Sequence, residues 1–256
     1  MTFHDAAARW LEGYINSFAE DGVLPPLMEV KRVHSLRVRD IAVKIARELG
    51  WTGELLDSAV TAALLHDTGR FPQYAGWGTY YDGASTDHGD LGESALRERF
   101  PADLARSCPR WEDILLAVRL HNKRELPGDV PPRALPIAKI VRDSDKLDVF
   151  GLVRSHVQEG RIKELLTAID PDGGYSEALL VELGSDGRAS YQNVKSLPDF
   201  LLVQLSWVLD MNYAPSFRML REAGTLSWIA KTLPRKDSVD RFIDSVLDHA
   251  SLMESA

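Results

Sequence analysis

Ala62-Ala63-Leu64-Leu65-His66-Asp67-Thr68-Gly69-Arg70 is the stretch on which the reading of the whole chain turns. Six of the seven residues from Ala59 to Leu65 are apolar, so this segment is expected to be a helix buried on all sides. It ends abruptly in an imidazole, a carboxylate and a glycine. A buried carboxylate stays ionised only against a partner or a metal. Neighbouring residues of a regular helix do not face the same way, but His66 and Asp67 can converge on one ion if the helix stops there. Gly69 and Pro72 are stop signals of that kind. Taken alone, the dipeptide reads more readily as a helix end with a capping Asp and a hydrogen-bonded core His; the rest of the chain reverses that.

Working outward, the preceding helix is expected from about Leu27 to Leu49, with Val30, Val38, Ile41, Ile45 and Leu49 on its apolar face. His34 falls on that face, four residues from both Val30 and Val38. Before it, Ala6 to Phe18 reads as a first helix with a core-facing stripe of Trp10, Tyr14 and Phe18. After the buried helix, 68–90 is glycine- and aromatic-rich and reads as a long loop, a feature often tied to function. His88 lies at its end, before a short helix from about Leu91 to Phe100. Trp111 to His121 is helical, and His121 ends the apolar stripe begun by Ile114 and Val118. In a helix from about Pro136 through Asp148, Ile137, Val141 and Asp145 repeat every four residues. Periodicity therefore selects Asp145 as the inward acid over Asp148 and over Asp143, which is expected nearer the wet side.

Beyond Gly160 the signal weakens. Ile162 to Ile169 reads as a short helix, and Ala178 to Glu182 with Ser190 to Gln192 as a small β-hairpin around Gly184-Ser185-Asp186-Gly187. Pro198 to Asp210, Phe217 to Leu233 and Ser238 to Leu252 read as three more helices, with His156 and His249 structural. The chain is thus expected to be one all-α domain over 1–256, with a core at 28–155 and a C-terminal helical extension at 156–256.

Composition narrows the function. At 256 residues, with 45% hydrophobic and 27% charged residues, the chain is long enough for an ordinary globular core. A formal net charge of −8 argues against a dedicated nucleic-acid surface. Cys108 is the sole cysteine, which excludes an intramolecular disulfide and a cysteine-rich zinc site. Met1-Thr2-Phe3-His4-Asp5 lacks a signal-peptide pattern, and no apolar run approaches the roughly 20 residues of a membrane span. A cytoplasmic address is the expectation; oligomeric state is left open.

His34, His66, Asp67 and Asp145 offer two imidazoles and two carboxylates from successive helices, the way helix bundles build metal sites. That mixture suits manganese, iron, nickel, cobalt or zinc better than magnesium. A divalent ion so held can acidify water into a nucleophile and neutralise charge on phosphoryl oxygens.

The order His … His-Asp … Asp, with the last acid in Asp143-Ser144-Asp145-Lys146-Leu147-Asp148, resembles the HD-domain phosphohydrolase superfamily over roughly residues 28–155. The resemblance implies an all-helical bundle in which His34, His66, Asp67 and Asp145 ligate metal. His88-Gly89-Asp90-Leu91-Gly92, His121-Asn122 and Asp67-Thr68-Gly69-Arg70 resemble elements of the two-metal HD-GYP phosphodiesterases. Asn122 stands where those enzymes have a second His, Arg70 where they have Lys, and Pro127-Gly128 replaces their Gly-Tyr-Pro. The resemblance thus implies one ion, or two if His88 and His121 hold a second bridged by Asp67, these histidines otherwise meeting substrate phosphate. The expected reaction is hydrolysis of a small, nucleotide-like phosphomonoester or phosphodiester. Arg70, Lys123 and Arg124 are candidate phosphate clamps, Asp90 or His121 candidates for proton transfer, and the Tyr74–Tyr81 segment and the proline-rich turn at 127–132 candidates for specificity. The rivals are a nucleotide-sensing module without turnover and a di-iron oxygenase built on the same bundle.

Overall fold

Thr2 starts the first helix, α1 (Phe3–Asn16), with a capping box: its hydroxyl accepts from the Asp5 amide, and the Asp5 carboxylate accepts from the Thr2 amide. From there the chain is helical throughout, as described for residues 2–255 of the computed structural model. α2 (Pro26–Glu48) and α3 (Gly53–Leu65) follow, then α4 (Arg70–Trp77), a 3₁₀ turn at Asp82–Ala84, α5 (His88–Arg99), α6 (Ala102–Ser107), α7 (Trp111–Leu120) and α8 (Leu135–Gln158). The chain divides into two compact units at Asp145/Lys146, within α8. Among the described residues there are no strands, only isolated bridges at Glu20–Val23 and Asp170–Ser196, and no helix is long and apolar enough to cross a membrane.

In the first unit α3 is the central element, and every residue from Ser58 to Gly69 is buried. α2 and α7 pack on it, α5 on α7, and α1 on α3. α2 buries Met28, His34, Ser35, Val38, Ala42 and Ile45, so His34 lies on the inward face as its spacing requires. The Trp10/Tyr14/Phe18 stripe is half-buried rather than core: α1 buries Ala6, Ala7, Leu11 and Ile15, and the aromatics stack along its flank.

The stretch 68–90 is not one long loop. Pro72 sits in the first turn of α4, where an amide has no helical partner to lose. Gly78, at φ +66°, provides the left-handed C-cap. At the far end the Asp87 carboxylate accepts from the amides of Gly89 and Asp90, so α5 starts at His88, three residues earlier than periodicity indicates.

The second unit holds the end of α8, then α9 (Ile162–Leu165), α10 (Glu177–Asp186), α11 (Leu197–Trp207), α12 (Ala214–Glu222), α13 (Thr225–Thr232) and α14 (Asp237–Glu254), gathered around α11, which is buried in all but Trp207. The expected β-hairpin is absent. Ala178 to Glu182 is part of α10, Gly184 is helical, and Gly187 (φ +70°) is a helix C-cap rather than a hairpin turn. Residues 191–193 form a 3₁₀ turn. The single helix expected over Phe217–Leu233 is two, broken at Gly224 (φ +63°).

Candidate metal centre

α3 ends at Leu65, and His66 to Gly69 form the turn that carries the chain into α4. His66 and Asp67 therefore leave the helix together and face the same interior point. There the Nε2 atom of His34 lies 3.2 Å from that of His66, 3.1 Å from Oδ1 of Asp145 and 3.4 Å from Oδ2 of Asp67. His66 Nε2 completes the set at 3.5 Å from Asp67 Oδ2 and 3.7 Å from Asp145 Oδ1. Ligand bonds of roughly 2.0–2.2 Å around one ion place donors about 2.8–3.6 Å apart in octahedral or tetrahedral geometry. The four side chains match that spacing to within a few tenths of an ångström.

A second set faces the other oxygen of Asp67. His88 Nε2 and His121 Nε2 are 3.0 Å apart, and each is 3.7 Å from Asp67 Oδ1. The outward nitrogens of these rings are already engaged. Nδ1 of His121 donates to the Val118 carbonyl, Nδ1 of His66 to that of Ala63, and Nδ1 of His88 to the Asp82 carboxylate. With those tautomers fixed by their partners, each Nε2 presents a lone pair inward. Two lone-pair nitrogens 3.0 Å apart beside a carboxylate oxygen repel unless a cation lies between them. The donor chemistry thus fits a divalent ion on each side of Asp67.

Burial and neighbouring charge shift the titration of His88, His121, Asp67 and Asp145. Burial pushes the His88 imidazole down to about 3, reinforced by the Arg70 guanidinium; burial also lowers His121. Burial would raise Asp67, but the Lys31 ammonium beside it holds it well below the carboxylate range. Asp145 is likewise held down, against its burial, by the His34 hydrogen bond and the nearby imidazoles. Neutral imidazoles and ionised carboxylates are the forms that ligate metal.

A pH dependence follows for the metal-free protein. His88 and His121 titrate lower folded than unfolded, so between about 3 and the unfolded value near 6.5 the unfolded chain binds more protons. Stability is expected to fall as pH drops through that window. Asp67 and Asp145, lowered from 3.8, add to the loss only below about pH 4. Thermal melts at pH 7.5 and 5 in a chelator should show a decline that His88→Gln and His121→Gln each reduce; an unchanged decline in both variants would refute the assignment.

The inward-acid expectation needs correction. Asp145 does face the centre, but its side chain is 25% exposed, whereas Asp143 is fully buried and Asp148 nearly so. From Ala138 to Ser144 all but Lys139 are buried, so α8 has almost no wet side there and periodicity separates one neighbour from another, not water from core. Asp145 thus combines a contact to His34 and His66 with partial access to solvent.

The remaining candidates divide. Arg70 Nη1 donates to Gln73 Oε1, the Tyr80 carbonyl and Asp82 Oδ1, and Nε lies 3.5 Å from Asp67 Oδ1, so this side chain ties the Tyr80–Asp82 segment to the centre. Lys123 pairs with Asp87 and Asp90 on the rim next to His88. Asp90 and Arg124 are exposed and lie outside the donor cluster.

Four residues that periodicity does not single out shape the site. Asp82 orients His88, and Asn122 donates to Asp82 and Asp87. Arg142, buried, donates to the carbonyls of Leu120, His121 and Lys123, capping α7 and fixing His121. Lys31 donates to Asp67 Oδ2 at 2.7 Å. Lys31 lies three residues before His34 and Asn122 directly after His121, whereas nothing in the spacing marks Asp82 or Arg142.

A family model described as HD domain matches residues 32–166. The chain belongs to this HD-domain superfamily of metal-dependent phosphohydrolases. No curated protein and no solved structure matches it.

Proposed function

We propose that the protein hydrolyses a small, nucleotide-like phosphate ester with divalent metal that would be held by the donor sets on the two sides of Asp67. The observation that carries this reading is the opposed use of the two Asp67 oxygens, Oδ2 toward His34 and His66 and Oδ1 toward His88 and His121. His34, His66, Asp67 and Asp145 would hold one ion and His88, His121 and Asp67 the other, with manganese or iron best suited to imidazole–carboxylate sets. Ions bound there supply an acidified water as nucleophile and offset charge building on the phosphoryl oxygens.

The protein's own groups do the rest. Ala63, Val118 and Asp82 hold the rings of His66, His121 and His88 in place, which keeps the donors preorganised. Lys123 and Arg124 on the rim meet outlying phosphate charge, and Asp90 beside Lys123 exchanges protons with solvent. Arg70 positions the Tyr80–Asp82 segment rather than gripping substrate directly. Trp77 and Tyr81, 51% and 47% exposed, supply aromatic faces for a base.

Elemental analysis of untreated protein is expected to find about two divalent ions per chain, and the manganese-loaded protein to release phosphate from, or open, esters in a panel of phosphomonoesters and phosphodiesters. Full metal content with nucleotide binding but no turnover would replace this reading with a sensor, and iron with substrate-dependent oxygen uptake would replace it with an oxygenase.

A further inference from the structure

We infer that Lys31 and Tyr80 form a two-donor subsite for a phosphoryl oxygen at the edge of the metal centre. The inference rests on the hydrolase reading above and deepens it. Lys31 lies on α2 one turn before His34, its side chain 18% exposed, with Nζ 2.7 Å from Asp67 Oδ2. That is the oxygen turned toward His34 and His66. A fixed positive charge so close to a metal-ligand oxygen opposes cation binding. The same ammonium lies 5.7 Å from the centroid of the Tyr80 ring, and the Arg70 guanidinium is 5.6 Å from that ring.

Tyr80 is held rigidly there. Its carbonyl accepts from Arg70 Nη1 at 2.5 Å, and its ring packs on Tyr74 with centroids 5.0 Å apart. Its hydroxyl is shut off from water and has no hydrogen-bond partner among the described residues. A buried hydroxyl without a partner is costly, and proteins rarely keep one. Two unfavourable features therefore adjoin: a cation that competes with the metal, and a donor with nothing to donate to. One anion removes both costs, since its oxygens accept from the hydroxyl and offset the ammonium. Phosphate, free or as the monoanionic or dianionic end of an ester, carries enough oxygens to reach a metal and these donors together.

The subsite makes changes of opposite sign in one variant. In the full-length, manganese-loaded protein, Lys31→Met is expected to weaken inorganic phosphate roughly tenfold or more by calorimetry, the effect of losing a charge-assisted contact. In the absence of phosphate the same variant should bind manganese as tightly as the parent or several-fold tighter. Tyr80→Phe should weaken phosphate by about three- to tenfold, leave manganese affinity unchanged, and melt no lower than the parent, because it removes a hydroxyl that bonds to nothing.

Phosphate affinities within twofold of the parent in both variants would overturn the subsite, as would a parent protein that does not bind phosphate. Weaker manganese binding in Lys31→Met would also overturn it, by making Lys31 a support for Asp67 only. A parent that hydrolyses esters while both variants keep its phosphate affinity refutes the subsite alone. A parent that binds phosphate through Lys31 and Tyr80 yet hydrolyses no ester refutes the hydrolase and leaves the subsite standing.

Discussion

Asp67→Ala is expected to lose both metal retention and turnover, with kcat down by on the order of 10³-fold or more. Asp67 offers one carboxylate oxygen to each half of the centre: Oδ2 is 3.4–3.5 Å from His34 and His66, and Oδ1 is 3.7 Å from His88 and His121. Alanine also takes from the Lys31 ammonium the carboxylate oxygen it pairs with. A pocket that attracted cations then repels them. Asp67→Asn keeps the shape and discards the charge, so it should fail almost as badly; Asp145→Ala, which touches only the first set, should lose one ion and keep part of the other. Elemental analysis with initial rates on the best ester would show this order, and circular dichroism would confirm that the helices remain. An Asp67→Ala protein with full metal and full rate would end the assignment.

The bundle, and the inward placing of His34, His66 and Asp67, are legible because they rest on the most reliable sequence signal, apolar periodicity carried into a polar residue. Val38 and Ile45 fix the inward face of α2 and thus His34, and the unbroken run from Ala59 to Leu65 fixes the burial of His66 and Asp67. Glycine and proline carry no fixed meaning along the chain, and the differences from the expected elements cluster at them. Pro72 lies in a first turn and Gly187 at a C-cap, so both belong to helices, whereas Gly224 breaks one. A short apolar run such as Ala178–Val181 has no period long enough to separate strand from helix.

The outer residues of the site were hidden for a different reason. Asp82 reaches His88 from a 3₁₀ turn six positions away, and Arg142 reaches the α7 terminus across about 20 residues of chain. Such contacts depend on tertiary placement, which periodicity along one helix does not encode. Asp143 failed in yet another way: a spacing rule assumes that each helix has a wet face, and this part of α8 scarcely has one.

Gly69→Ala is expected to cost about 3 kcal/mol and lower Tm by roughly 6–12 °C, while the protein that remains folded binds one ion instead of two. Backbone conformation is not the cause, since Gly69 has φ −69°, which alanine adopts freely. The obstacle is steric. A Cβ at Gly69 would lie 2.2 Å from the His88 carbonyl oxygen and 2.5 Å from the Gly92 amide nitrogen, both backbone atoms of α5. Neither can rotate away, so α5 would have to retreat from the α3–α4 turn by about 1 Å. His88 is the first residue of that helix, and its Nε2 meets His121 at 3.0 Å; a retreat of that size breaks the second donor set while His34 on α2, His66 at the end of α3 and Asp145 on α8 keep the first. Gly92→Ala should be milder, because its nearest conflict is a Val118 methyl at 3.1 Å. Gly76→Ala, with nothing within 4 Å of the new carbon, should be neutral or stabilise α4 by up to about 1 kcal/mol. Melting curves paired with metal counts on the three variants test the ranking; a Gly69→Ala protein with unchanged Tm and two ions would mean that α5 does not set the second half of the centre.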